Sequence, residues 1–313
     1  MHREKGHWSS LSVTIVSLTA LVCVQPTVGA VLIGVDPFDG ARGQLYTLSP
    51  RAAFTDPPET PVAFRATLRR PFGSGDTRGI VVQDLAFDPF GGILYGLDGA
   101  NDELVTINPD TGIVEVIGPI TDIGSTNGLV YLPFLNSLAT IDLFTSDGIN
   151  FSNGLVLIDP ATAETNFIGT FADATSPTTF DGLGVNGLLY QQATNTLISV
   201  SDGPLGSNGV VVAYDLDSLE AFIVGGTSGP QLSLAQTPDG SVFSTEFLSA
   251  GLLNDFELDL LPEVAPDSAN IDLDFDSGTL FLTGIASIEL IPEPATATLL
   301  TIGCFTLARR LGY

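Results

Sequence analysis

Apolar residues recur along this chain in a pattern that repeats itself. Asp84-Leu85-Ala86-Phe87-Asp88-Pro89-Phe90 returns without gaps as Gly128-Leu129-Val130-Tyr131-Leu132-Pro133-Phe134 and, shortened, as Gly187-Leu188-Leu189-Tyr190. Nine positions after the first leucine of each copy a second apolar segment opens, at Leu94, Leu138 and Leu197, and abbreviated copies start at Leu234 with Val242 and at Leu273 with Leu280. A third segment reads Leu104-Val105-Thr106-Ile107-Asn108-Pro109, then Leu155-Val156-Leu157-Ile158-Asp159-Pro160, then Val211-Val212-Ala213-Tyr214-Asp215. A fourth ends at Ile117-Gly118, Ile168-Gly169 and Val224-Gly225. These runs are short, rich in β-branched and aromatic residues and separated by Gly, Pro, Asn and Asp, which predicts strands joined by tight turns. No convincing amphipathic helix lies between Val31 and Pro292.

Four strands per unit, with units 39 to 59 residues apart, is the pattern of a propeller blade. A lone blade cannot bury both faces; stacking blades around an axis does, and it explains why many strands are apolar at successive positions. Val31 to Val35 and Leu45-Tyr46-Thr47-Leu48-Ser49-Pro50 match the second and third strands of a unit, whereas Leu273 to Phe275 and Leu280 to Leu282 match the first two. The two ends therefore predict one shared blade that closes the ring. The expected architecture is all-β, a β-propeller of five or six four-stranded blades over residues 31–290, with terminal helical export and sorting segments. An open solenoid or a sandwich would use the same quartets. Leu94-Tyr95-Gly96-Leu97 together with Ile107-Asn108-Pro109-Asp110-Thr111-Gly112 resembles bacterial propeller families of the YncE and DUF4394 kind.

Residues 1–30 have a different character. A basic start (Arg3, Lys5), an apolar stretch from Leu11 to Val24 and the small-residue spacing of Val28 and Ala30 predict a secretory signal cut after Ala30. In residues 291–313, Pro292-Glu293-Pro294 precedes an apolar run from Ala295 to Ala308 and the pair Arg309-Arg310. That order resembles the PEP-CTERM sorting signal. The resemblance implies a bacterial surface or extracellular protein, handled by an exosortase-type processing enzyme, that touches the membrane only through this segment before processing. It also implies a setting of secreted polysaccharide. The arginines would remain cytoplasmic under the positive-inside bias.

Processing at both ends would remove every Lys, His, Cys, Met and Trp, because all of them lie before Ala30 or, as Cys304, in the last apolar run. The cations that remain are Arg42, Arg51, Arg65, Arg69, Arg70 and Arg78, against all but one of the chain's 36 acids. Such a chain repels nucleic acid and anionic membrane, and its acidity suits a solvated surface. Without imidazole, thiol or amine it cannot build a Ser-His-Asp triad, a Cys nucleophile, a common zinc site or a Schiff base. Carboxylate chemistry remains, so a secreted carboxylate-dependent glycosidase or lyase is the alternative to a binding or structural module. No catalytic residue and no cofactor other than calcium is assigned.

In a propeller the links between second and third strands open on the face where ligands commonly bind. They carry Asp98, Asp102 and Glu103, then Asp142 and Asp147, then Asp202, and finally Glu246 and Asp255. These acids are candidate ligand-binding residues, for extracellular polysaccharide, for a surface protein or for calcium, which takes six to eight oxygens. Asp272, Asp274 and Asp276 form a second candidate calcium set, although Ser277 stands where a calcium loop has glycine and Thr283 where it has glutamate. Ile271, Leu273 and Phe275 alternate with these aspartates, which favours a half-buried strand. The cluster Arg65, Arg69, Arg70 and Arg78 has the charge to bind an anionic sugar, but with so many carboxylates within reach it is expected to pair with acids of the neighbouring blade.

Overall fold

The turn after each third strand explains why the apolar segments fold back on themselves. Asn108 Oδ1 accepts the N–H groups of Asp110 and Thr111, both at 3.0 Å, and the Gly112 N–H returns to the Asn108 carbonyl at 2.8 Å. Asp159 does the same for Ala161 and Thr162, and Asp215 for Asp217 and Ser218. A side chain that satisfies two turn amides makes the hairpin self-contained. The left-handed position that closes each turn falls to Gly112 (φ 67°), Ala163 (φ 63°) and Leu219 (φ 55°).

The structure is a computed structural model that describes residues 31–288 apart from 37–42, 49–61, 76–77, 122, 124–127, 146–150, 174–184, 202–208, 227–230, 237–241, 247–251, 257–270 and 273–283. The export and sorting segments, with Pro292, Glu293, Pro294, Arg309 and Arg310, therefore lie outside the described residues, as do Asp147, Asp202, Asp274 and Asp276. No helix long and apolar enough to cross a membrane occurs among the described residues.

Among the described residues twenty-one strands form five sheets. The first sheet joins the two ends of the chain: β1 (Val31–Asp36), β2 (Gln44–Leu48) and β3 (Val62–Thr67) follow β21 (Gly284–Ile288) in the order β21-β1-β2-β3. The second is β4 (Val82–Asp88), β5 (Ile93–Asp98), β6 (Glu103–Ile107) and β7 (Val114–Pro119). The third is β8 (Val130–Leu132), β9 (Ser137–Thr145), β10 (Phe151–Ile158) and β11 (Thr165–Thr170). In the fourth, β13 (Asn186–Gln191), β14 (Thr196–Ser201), β15 (Val210–Asp215) and β16 (Glu220–Gly226) are extended by β12 (Ala172–Asp173), which runs parallel to β16. The fifth is β17 (Gln231–Gln236), β18 (Val242–Glu246), β19 (Leu252–Phe256) and β20 (Ile271–Asp272).

First strands β21, β4, β8, β13 and β17 each touch the next around the axis, and β17 touches β21 again. The chain is thus an all-β propeller of mainly four-stranded antiparallel sheets. Its ends do complete one blade, but the closing strand lies beyond the expected segments, at residues 284–288, with Ile33 opposite Ala286 and Val31 opposite Ile288. Ile271 and Asp272 belong instead to the outermost strand of the fifth sheet. The described part of that alternation, Ile271 and Asp272, is a strand in a later position of the quartet than its sequence implied.

Four of the five seams between sheets have a core of their own among the described residues. Leu94 packs with Ile33, Leu45 and Val82 toward the first sheet, while Tyr95 and Leu97 of the same strand pack with Leu129 and Leu138 toward the third. Both faces of a strand are buried, which is why its positions are apolar in succession. The recurring apolar-Gly pairs are bulges. Leu104 faces Gly118 and Val105 faces Val116, so Ile117 is the extra residue, and Ile168 and Val224 take the same place in their sheets. A Cβ on Gly118 would stand 2.9 Å from the Thr162 carbonyl of the next sheet. Glycine there lets the outer strand lean onto its neighbour.

Because Ile285 is buried to 1% exposure on the closing strand, Ile285→Ala is expected to cost about 2–4 kcal/mol of unfolding free energy, from lost burial and the cavity left behind. Urea denaturation measures it; a loss under about 0.5 kcal/mol would mean that β21 does not close the ring.

Candidate functional site

Each first strand pairs on one side only: β4 with β5, β8 with β9, β13 with β14, β17 with β18 and β21 with β1. Their other edges face the axis and enclose a cavity of about 450 Å³. Its wall runs from Leu85, Leu129, Leu188, Leu234 and Ile285 at one end to Pro89, Pro133 and Gln192 at the other. A volume of this size lies within the range of small-ligand pockets. No charged side chain is among its described lining residues.

One end is drawn shut. The residue just before the leucine in each copy is Asp84, Gly128, Gly187 or Ser233. A Cβ on Gly187, whose φ is +62°, would stand 2.5 Å from the Ser233 Cα, and one on Gly128 would stand 2.6 Å from Leu188 Cγ. The glycines therefore permit a backbone approach that no larger residue allows. Into this closed end projects Asp84, 1% exposed. The Leu129 N–H donates to Asp84 Oδ2 at 2.7 Å, and the Ser233 hydroxyl donates to Oδ1 at 3.1 Å from β17, across the ring. Ser233 Oγ in turn accepts the Ile285 N–H at 2.8 Å. Register shifts at Val82/Asp84, Asn186/Leu188 and Gln231/Ser233 place these residues. Burial pushes the Asp84 carboxyl well above the ordinary carboxylate range, against the pull of donors from Leu129, Leu85 and Ser233. The group is thus a buried acid that ionises less readily than an exposed carboxylate.

The other end, where first strands turn into second strands, is open and aromatic. Tyr131 donates its hydroxyl to Asn136 Oδ1 at 2.7 Å, and Tyr190 does so to Asn195 Oδ1 at 3.2 Å. Both asparagines have positive φ, 48° and 51°, a conformation Asn tolerates. The matching pair in β4 is Phe87 with Gly92 (φ 66°), a ring without a hydroxyl beside a residue without a side chain. Burial and the nearby Asp88 carboxylate raise the Tyr131 phenol, which keeps it protonated. Outside these rings stand Phe90, 76% exposed, and Phe134, 55% exposed, the latter with its ring centroid 5.5 Å from that of Tyr190.

The described acids read from the sequence stand elsewhere. Asp98 and Glu103 come together at the β5–β6 turn, around Arg70 rather than around the axis: Arg70 lies 3.1 Å from Asp98 and 2.9 Å from Glu103, and Arg78 lies 2.9 Å from Glu103. The arginine cluster thus ties the first sheet to the second, as expected. Arg65 adds a 2.7 Å bond to the Pro109 carbonyl and an ion pair with Asp110, and the Arg69 backbone bridges Gly112 and Val114. Asp102 is an exposed turn residue at φ 53°, Asp142 is buried in β9, and Asp255 and Asp272 lie on β19 and β20. Among the described residues no three His, Cys, Asp or Glu side chains converge as a metal site. Sequence reasoning placed the site at the end of the propeller where Asp84 seals the axis. It missed the open end, whose signal was the paired Tyr131/Asn136 and Tyr190/Asn195 spacing.

No protein-family model matches this chain, and no curated protein matches it by sequence. Among solved structures it is similar to a chain of a nidogen/laminin complex, at 14% identity over 83% of this chain and 86% of that one, with a TM-score of 0.43. It is also similar to the periplasmic gluconolactonase PpgL of Pseudomonas aeruginosa, at 13% identity, 80% and 70% coverage and a TM-score of 0.42. TolB from Acinetobacter baumannii is similar at 15% identity over 82% of this chain and 54% of that one, with a TM-score of 0.43.

Asp84 holds its proton more tightly in the folded than in the unfolded chain. Its contribution to stability is therefore complete below the ordinary carboxylate pKa of 3.8 and fades as pH rises through the raised folded value. Asp84→Asn, which imitates the neutral acid, is expected to gain on the parent as pH rises; a difference in unfolding free energy that stays flat with pH contradicts this. Arg70→Leu takes the ion pair from buried Asp98 and leaves Glu103 to Arg78, and is expected to cost about 3–5 kcal/mol in urea denaturation, whereas a loss below about 1 kcal/mol would show the Arg70 ion pairs to be dispensable.

Proposed function

We propose that this chain is an exported, cell-surface β-propeller that binds extracellular polysaccharide through its axial cavity. The observation that carries the reading is a cavity shut at the Asp84 end and open at an end ringed by Phe87, Tyr131 and Tyr190. The half-buried rings of Phe87 and Tyr190 offer stacking surface, and the inner strand edges offer peptide donors and acceptors. Paired-carboxylate cleavage needs two acids beside the scissile bond, and the described wall offers none, which supports binding over a glycosidase or lyase. In this reading residues 1–30 direct export, and residues 291–313, with Pro292-Glu293-Pro294 and Arg309-Arg310, are the sorting signal read by an exosortase-type enzyme.

Gln192 is an exposed lining residue at the mouth, so Gln192→Trp should obstruct entry without disturbing the core. The parent, spanning residues 31–290, is expected to co-sediment with extracellular polysaccharide harvested from the producing bacterium, and Gln192→Trp to lose at least nine-tenths of that binding. Equal sedimentation of the two proteins places the site elsewhere; release of reducing ends by the parent favours the enzyme.

A further inference from the structure

Resting on that reading, we infer that the cavity takes the terminus of an uncharged saccharide chain, not an internal segment and not a uronate. Three features lead there. The first is that the cavity is blind. Asp84, Ser233 and the close glycine contacts at Gly128 and Gly187 shut one end, so a linear polymer can enter but cannot thread through. From Leu85 to Pro89 the wall climbs roughly 13 Å at the usual strand rise, which gives depth for a chain end alone.

Charge is the second feature. A chain with a formal charge of −26 opposes the entry of an anion. The described wall supplies no cation to compensate it, and Arg65, Arg70 and Arg78 are engaged with Asp110, Asp98 and Glu103 between the first and second sheets. Among the described lining residues a cation finds no carboxylate either, because Asp84 lies beyond the leucines. Burying an unpaired ion is costly, so the cavity selects against both signs.

Third is the kind of polarity that remains. The five inner strands each have a strand neighbour on one side only and turn the other edge to the axis, and a strand edge presents N–H and C=O groups in a row. A saccharide hydroxyl both donates and accepts, so it can meet either group. Gln192, Gln236 and Ser287 extend this chemistry toward the mouth. Tyr190, half-buried and fixed by Asn195, supplies a rigid ring that suits the apolar face of a pyranose, whereas Tyr131 is packed into the seam between the second and third sheets. An aliphatic ligand would leave those edges without water or partner, at a cost.

Isothermal titration of the residue 31–290 chain with cello-, malto- and laminari-oligosaccharides of two to six units, and with oligogalacturonates of the same lengths, tests the inference. At least one neutral series is expected to bind with one protein per chain at every length, at least tenfold more weakly to Gln192→Ala, and at least tenfold more tightly than the uronates. Stoichiometry rising with chain length, equal or tighter binding of the uronates, affinity unchanged in Gln192→Ala, or no binding by any neutral series would overturn it. Loss of this binding while Gln192→Trp still abolishes sedimentation with the native polysaccharide would sink the terminal, uncharged assignment and leave the cavity as the polysaccharide site.

Discussion

The carboxyl of Asp84 meets a constraint that every ring of sheets faces: inner strands converge on an axis where their outer edges have no further strand to pair with. At the tight end the amides of Leu129 and Ile285 need acceptors, and water has little room beside them. Asp84 and Ser233 provide those acceptors and join to each other across the ring. Three of the five sheets besides that of Asp84 are drawn into one hydrogen-bonded unit, since Leu129 leads into the third, Ser233 lies in the fifth and Ile285 in the first. A buried network of this kind specifies a single arrangement only when its members are satisfied. That satisfaction, together with the small residues at Gly128 and Gly187, makes the axis a pocket and not a pore.

From this closure follows a division of labour between the two ends of the molecule. At the sealed end are the links between second and third strands, whose acids serve to join sheets through Arg70 and Arg78. At the open end the turns between first and second strands carry proline, phenylalanine and the tyrosine–asparagine pairs. Acidity is thereby kept out of the described cavity wall, although the Asp88 carboxylate stands beside Tyr131 at the open end.

The fold was legible because each quartet is a local pattern: strand periodicity and turn chemistry are set by residues a few positions apart. Even the apolar-Gly pairs at Ile117-Gly118 and Ile168-Gly169 were visible, although their meaning as bulges needed the neighbouring sheet. The closing strand was harder. Ile285-Ala286-Ser287-Ile288 is a weak strand by itself, and its place is settled by β1, some 250 residues earlier in the chain. For the site, Asp84 stood first in the repeat, yet its counterparts Gly128, Gly187 and Ser233 share only smallness, a property that matters solely once the strands converge. Asp98 and Glu103 drew attention by charge, and it was Arg70, distant in sequence, that decided their role.

The closure of the axis is tested most directly by amide hydrogen exchange, resolved residue by residue, in the native state. If Asp84 and Ser233 hold the tight end, the amides of Leu129 and Ile285 exchange only through global unfolding, as slowly as those of the central strands. Exchange of these two amides at the rate of exposed turns would contradict the seal, and with it the blind cavity.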